Sequence, residues 1–262
     1  MREQTPRYTS YDVTYRSERF RISGVLNVPT GPGPFPAVVL AHGWIDRDIY
    51  DRGQGMTRER GFLAGNGYVV LHVDYRNHAE SDVDPQLERS LYLAYAVDVI
   101  NAVQALRASI DVRVDGDRVA VMGRSMGGVA VYQVLEMVPD LVRVGIAFAP
   151  QSSREAENYH HWTPSVYDAV RAARGSPEQD PLFWREASTR TYFDRIEVPV
   201  LIHQGGRDEQ CRPVWSRETA RAMRKADVDV TLHWYADERH AFGPQFDLAM
   251  RRTVAFLNQH LD

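Results

Sequence analysis

The stretch Val119-Ala-Val-Met-Gly-Arg-Ser-Met-Gly-Gly128 constrains this chain more than any other. Val119 to Met122 form the short apolar run of a buried strand. Gly123-Arg-Ser-Met-Gly127 then has to turn sharply, and from Gly128 to Met137 the pattern takes on helical periodicity. A serine held on a tight bend between strand and helix, in G-x-S-x-G spacing, has the layout of a nucleophile elbow. Glycine is needed on either side, because a Cβ there would strike the neighbouring strand or helix and the bend uses unusual dihedrals. At average glycine usage a chain of 262 residues holds only ~0.1 such motifs by chance.

Strands and helices alternate on both sides of the elbow. Tyr11–Arg16 and Phe20–Val28 alternate with only Ser17-Glu-Arg19 between them, which predicts an antiparallel hairpin. After the turn-rich Pro29–Pro36, continuous apolar runs follow at Ala37–Ala41, Tyr68–Asp74, Val142–Ala149 and Val198–His203, the mark of strands buried on both faces. Helices are predicted over Met56–Ala64, Leu87–Ser109, Val214–Lys225 and Gln245–His260, with a last strand at Val228–Tyr235. This rhythm indicates an α/β fold, a mostly parallel eight-stranded sheet with helices on both faces. From Gln151 to Glu197 the rhythm breaks into polar sequence with helical pieces and seven aromatics. Residues 1–262 read as one domain, with 151–197 as a helical cap inserted in it.

Composition narrows the function classes. A net charge of -4 offers no basic excess to neutralise phosphates, which argues against a nucleic-acid partner. Cys211 is the one cysteine, so no intramolecular disulfide can form and no cysteine-based metal site is expected. The polar N-terminus lacks the apolar core of a secretory signal, and no apolar run approaches the ~18 residues of a membrane span. A cytoplasmic protein with no membrane partner is the expectation.

A serine hydroxyl needs a base to take its proton, and the base needs an acid to orient it. The chain offers both in the order serine, acid, histidine, each on a loop after a strand. Asp208 follows the strand ending at His203, and His240 follows the strand ending at Tyr235. Such loops converge at the carboxyl edge of a parallel sheet. Asp237 is a rival acid, but it sits too close to His240 in sequence to orient that ring from an opposing loop.

Taken together, His42-Gly43, Asp74-Tyr-Arg-Asn-His-Ala-Glu-Ser-Asp82, Gly123-Arg-Ser-Met-Gly-Gly128, Pro199-Val-Leu-Ile-His-Gln-Gly-Gly-Arg-Asp208 and Tyr235-Ala-Asp-Glu-Arg-His-Ala-Phe242 resemble the α/β-hydrolases. Within them the chain is most similar to the prolyl oligopeptidase catalytic domain and its dienelactone-hydrolase-like relatives, from about Tyr11 onward. The resemblance implies an α/β-hydrolase fold, with Ser125 as nucleophile, Asp208 as acid and His240 as base. It also implies an oxyanion hole made by the backbone N–H groups of Met126 and Trp44. Two departures from the pattern are expected: a chain that lacks the family's N-terminal propeller, and Gln204 interrupting the common His-Gly pair at His203-Gln204-Gly205.

The remaining candidates have plainer readings. His42 is expected to shape the oxyanion loop by hydrogen bonding, and His72 and His203 to be satisfied core histidines. His78, with Arg76 and Asp82, is expected to order its loop. His160-His161 lacks any carboxylate–histidine spacing, so no metal is expected. Cys211 suits a buried small apolar position better than a reactive thiol. Trp44, Tyr159, Trp162 and Trp184 are the candidates for lining a substrate pocket; the aromatics of the insertion equally suit cementing the cap.

The expectation is a serine hydrolase that cleaves carboxylic esters through an acyl-enzyme, with short peptides or amides within its reach. A serine peptidase of prolyl-oligopeptidase type without the propeller is one alternative, and an acyltransferase on the same scaffold another. A non-catalytic binding protein is disfavoured by the complete set of Ser125, Asp208 and His240. A small ester or short peptide is the expected partner, no cofactor or metal is called for, and a homodimer is compatible with the sequence.

Overall fold

The apolar runs form strands because helices on both sides of them take up both faces. The computed structural model describes residues 1–110, 113–162 and 167–261. Its strands are β1 (Glu3–Gln4), β2 (Tyr8–Ser17), β3 (Phe20–Pro29), β4 (Phe35–Ala41), β5 (Val69–Val73), β6 (Val114–Arg124), β7 (Val144–Phe148), β8 (Val200–Gly205) and β9 (Val230–Tyr235). Among the described residues they make one nine-stranded sheet in the order β1-β2-β3-β5-β4-β6-β7-β8-β9. The first pairings, β1–β2, β2–β3 and β3–β5, are antiparallel. From β5 to β9 every pairing is parallel. This is the α/β-hydrolase arrangement expected from the sequence, with the two-residue edge strand β1 added to the eight. Two residues are too few for any periodicity to register.

Helices α1 (Thr57–Gly65) and α8 (Phe246–Leu261) cover one face. On the other lie α2 (Leu93–Ala108), α3 (Met126–Met137) and α7 (Pro213–Lys225). Alternate residues of one strand serve opposite layers: Val38 and Leu40 of β4 pack with Met56, Leu63 and Phe246, whereas Val39 and Ala41 pack with Val99, Val131 and Ala220. Both layers are apolar, so the alternation is invisible in the sequence. Between β7 and β8 the chain leaves the sheet for α4 (Glu155–His161), α5 (Asp168–Arg174), α6 (Pro181–Glu186) and a 3-10 segment, Thr189–Arg195. Of the expected insertion, residues 163–166 lie outside the described residues.

One predicted helix is in fact two pieces. In place of a continuous Leu87–Ser109 there is a 3-10 turn, Leu87–Ser90, followed by α2. Between them Leu91 and Tyr92 both take left-handed backbone, φ 48 and 62. Each such non-glycine residue costs roughly 1–2 kcal/mol. The Ser90 hydroxyl closes the turn by donating to the Leu87 carbonyl at 2.6 Å, competing with the helix for that acceptor. The break lets Leu87 and Tyr95 both reach the interior.

At the carboxyl edge, an ion cluster centred on the buried Arg76 and Asp98 ties the hairpin to the loop after β5. Arg76 donates to Asp98 at 2.8 Å, Asp84 at 3.0 Å and Glu18 at 3.1 Å. Asp98 also accepts the Ser17 hydroxyl at 2.6 Å and the Arg76 backbone N–H at 2.9 Å. Asp82, expected to order the same loop, accepts the Arg21 N–H at 2.7 Å. Deleting one member of a buried pair strands the other charge, at about 3–5 kcal/mol. Asp98→Ala is therefore expected to lower the unfolding free energy by about that much in urea titrations followed by circular dichroism.

Candidate active site

Ser125 sits on the bend between β6 and α3 with φ 56 and ψ -120, a strained conformation for a residue with a side chain. Two close approaches explain its neighbours. A Cβ on Gly123 would lie 2.1 Å from the Gly127 carbonyl oxygen, and one on Gly127 would lie 2.0 Å from that of Ala41. The elbow is thus pressed against the end of β4. Arg124 beside the serine is held by an ion pair with Glu59 of α1.

His240 and Asp208 meet at the same edge. His240 Nδ1 is 3.0 Å from both carboxylate oxygens of Asp208, and both residues are buried. Asp208 Oδ1 also accepts the backbone N–H groups of Gln210 at 2.9 Å and Cys211 at 2.8 Å. Its Oδ2 accepts the Gln204 side-chain amide at 3.1 Å, and Gln204 in turn accepts the Ser216 hydroxyl at 2.6 Å. The glutamine that breaks the His-Gly pattern is therefore part of the site, a role that a departure from a motif does not signal. Asp237 points away, exposed and paired with Arg207 at 2.8 Å.

The loops carrying the acid and the histidine are fastened together. The Gly206 N–H donates to the Tyr235 carbonyl at 2.7 Å and the Arg207 N–H to that of Glu238 at 2.9 Å. A Cβ on Gly205 would lie 2.4 Å from the Glu238 carbonyl oxygen. The buried Glu238 carboxylate accepts the N–H groups of Gly243, at 2.7 Å, and Gln245, bracing the turn that presents His240. Sequence reasoning missed Glu238, since a loop glutamate carries no sign that it will be buried.

Ser125 Oγ lies 3.6 Å from Cys211 Sγ, and it is not hydrogen-bonded to His240. Ligand-free sites often hold such contacts loosely. Cys211 is fully buried; burial pushes its thiol pKa up, and the Asp208 charge adds to that. The thiol thus stays protonated.

The loop after β4 passes over the serine: a Cβ on Gly43 would be 3.1 Å from Ser125 Cβ. Trp44 follows, and Met126 is the first residue of α3, where helix N–H groups have no intrahelical acceptor. His42 fixes this loop. Its Nδ1 is 2.6 Å from the Gly43 carbonyl and its Nε2 3.2 Å from that of Asp74. Its ring stacks on Tyr50 with centroids 4.7 Å apart. Burial, with a contribution from His78, lowers its pKa to about 3, so His42 is a neutral strut. Asp74 anchors the same region, accepting Ser23 Oγ at 2.6 Å, Tyr50 OH at 2.8 Å and the Gly53 N–H at 2.8 Å. His78 orders its own loop, through Nδ1 to the Arg76 carbonyl at 3.1 Å.

The other candidates divide. His203 is satisfied by Tyr235 OH at 2.8 Å and Thr253 Oγ1 at 3.1 Å. His72 departs from the expectation: neither ring nitrogen has a hydrogen-bond partner among the described residues, and burial holds it neutral. Of the histidine pair, His160 turns to Glu178 at 3.0 Å and His161 donates to the Gln210 carbonyl at 2.8 Å. That second contact brings the insertion against the Asp208 loop.

Trp44 is 58% exposed and borders a cavity of about 190 Å³. Tyr92, Tyr95 and His78 complete its aromatic wall, and reading α2 as unbroken concealed that grouping. Tyr159 and Trp162 are part-buried against Tyr167, Val170 and Trp184. Trp184 itself is 1% exposed and donates its indole N–H to the Gly175 carbonyl at 3.2 Å. It lies in the interior of the insertion with Tyr159, Tyr167 and Phe183 packed on its ring, the cementing role that the sequence equally allowed. For Cys211, burial and protonation together predict that iodoacetamide leaves the folded protein unmodified near neutral pH and alkylates it fully in urea, read by intact mass.

The sequence profile of the prolyl oligopeptidase family matches residues 55–262. Dipeptidyl aminopeptidase BIII of Pseudoxanthomonas mexicana is 30% identical over 239 residues, covering 87% of this chain and 34% of that protein. Esterase EstD of Thermotoga maritima is 26% identical over 227 residues, 75% of this chain and 53% of the esterase. The solved structure of a Mycobacterium tuberculosis puromycin-hydrolyzing peptidase superposes with a TM-score of 0.79 at 20% identity, over all of this chain and 41% of that one. The chain thus spans about a third of the length of the dipeptidyl aminopeptidase. With the profile running through the elbow, the acid and the histidine to the last residue, the chain belongs to the prolyl oligopeptidase family.

Proposed function

We propose that the chain is a serine hydrolase that cleaves carboxylic esters through an acyl-enzyme. The observation that carries this reading is the buried His240–Asp208 pair, 3.0 Å to each carboxylate oxygen, beside a serine on a strained elbow. Ser125 Oγ attacks the carbonyl carbon while His240 Nε2 takes its proton. Asp208 holds the Nδ1 tautomer and stabilises the imidazolium. The negative charge on the carbonyl oxygen falls to the Trp44 and Met126 N–H groups, the latter aided by the positive end of α3. Collapse of the tetrahedral adduct expels the alcohol, which takes the proton from His240. Water then adds to the acyl-serine with His240 again as base, releasing the acid and restoring Ser125.

The second reading is peptide cleavage, favoured by the dipeptidyl aminopeptidase among the relatives. The same steps apply, with an amine leaving group that depends more on protonation by His240. Residues 151–197 act in either case as a cap on the site; the His161–Gln210 contact supports this. No helix among the described residues is long and apolar enough to cross a membrane; a cytoplasmic setting belongs to this proposal.

Ser125→Ala is expected to reduce p-nitrophenyl acetate turnover to the solution rate and to abolish fluorophosphonate labelling, with unchanged thermal unfolding. Residual labelling would remove Ser125 from its role. Asp208→Asn is expected to lower kcat by roughly 10³–10⁴-fold. The ester reading predicts a higher kcat/KM for the acetyl ester than for an aminoacyl-anilide, and the reverse order would make the chain a peptidase.

A further inference from the structure

The nucleophile and the acid share a neighbour to which the proposed mechanism gives no part. Cys211 follows Asp208 on the same loop, and its backbone N–H donates to Asp208 Oδ1 at 2.8 Å. Its sulfur reaches the other half of the site, 3.6 Å from Ser125 Oγ and within hydrogen-bonding distance for a sulfur atom. Among the described residues no other side chain hydrogen-bonds this hydroxyl. Cys211 is fully buried and Ser125 nearly so, which leaves little water to compete for either atom. With its N–H on the acid and α7 starting at Pro213, the cysteine has no freedom to follow the serine.

The charge on the sulfur sets how firmly it can hold. A thiolate would grip the serine proton through a charge-assisted bond, roughly twice as strong as a neutral one. Burial and the Asp208 charge keep the thiol protonated, against a smaller opposite pull from Ser125. A neutral sulfur is a weak partner that gives the hydroxyl up. The hydroxyl has three staggered wells, and the one it occupies against Cys211 is not the one that reaches His240. Occupancy of the first is lost to the second, and the rate of attack falls with the competent fraction.

On the serine hydrolase reading above, we propose that Cys211 is a positioning residue whose sulfur holds the Ser125 hydroxyl in an idle rotamer until substrate draws it away. The effect is confined to acylation, because the acyl-enzyme that water attacks has no Ser125 hydroxyl to hold.

Cys211→Ala and Cys211→Val both remove the sulfur, the first leaving space and the second filling it. The second-order rate of fluorophosphonate labelling is expected to rise about threefold in each, the worth of one weak hydrogen bond. The kcat/KM for p-nitrophenyl acetate, which reads acylation, is expected to rise by the same factor. The pH profile of labelling is expected to coincide in all three chains. A cysteine that only braced the Asp208 loop would, when replaced, slow the labelling and displace that profile. The alanine chain decides alone where valine overfills the site. Labelling unchanged or slowed in the alanine chain, or a gain accompanied by a displaced profile, overturns the role of Cys211 and leaves Ser125 as nucleophile. Labelling absent from the unsubstituted chain removes the hydrolase reading, and this role with it.

Discussion

The contact between Gly127 and the end of β4 is the constraint on which the site depends. With only 2.0 Å between a Cβ at this position and the Ala41 carbonyl oxygen, no side chain is tolerated. The approach brings two strand ends together: β6, which presents Ser125, and β4, which delivers His42-Gly43-Trp44 across it. A side chain at Gly127 would force those two strand ends apart. The strained Ser125 backbone persists because neighbours on both sides leave it no alternative.

Polar groups do the rest of the positioning, and nearly all of them act from burial. Asp74, His42, Tyr50 and Ser23 lock the loop after β4 from below. Gln204 and Glu238 secure the loops of the acid and the histidine. Each of these side chains sits in low dielectric with a partner made, the neutral His42 giving its one N–H to a single carbonyl, where hydrogen bonds are strong and a missing partner is expensive. His72 is the exception. Its ring centroid lies 5.6 Å from that of His42, neither nitrogen is hydrogen-bonded among the described residues, and burial keeps it neutral.

Much of this architecture was legible because short apolar strands, turn glycines and a G-x-S-x-G bend are local patterns. Asp208 and His240 could be singled out by their places after strands, and the structure brings the two together. What could not be read depends on contacts distant in sequence. Gln204 looks like a flaw in a motif until Asp208 and Ser216 are found on either side of its amide. Trp184 has the composition of a pocket residue, and only its packing against Tyr159 and Tyr167 shows that the insertion needed it as a core. The left-handed pair Leu91–Tyr92 interrupts a helix whose amphipathic pattern runs straight through it, because periodicity records which residues are buried and carries nothing about the path between them.

The fastening of the Asp208 and His240 loops to each other divides the site into two mechanical units. Acid and imidazole travel as one piece, clamped by backbone hydrogen bonds and by glycines pressed on carbonyls. The serine belongs to the other piece, wedged between β4 and α3. Its hydroxyl, resting against the Cys211 sulfur, has one soft coordinate left, rotation about its Cα–Cβ bond among three staggered wells. On the mechanism proposed above, that rotation alone arms Ser125, its oxygen leaving the Cys211 sulfur for the imidazole.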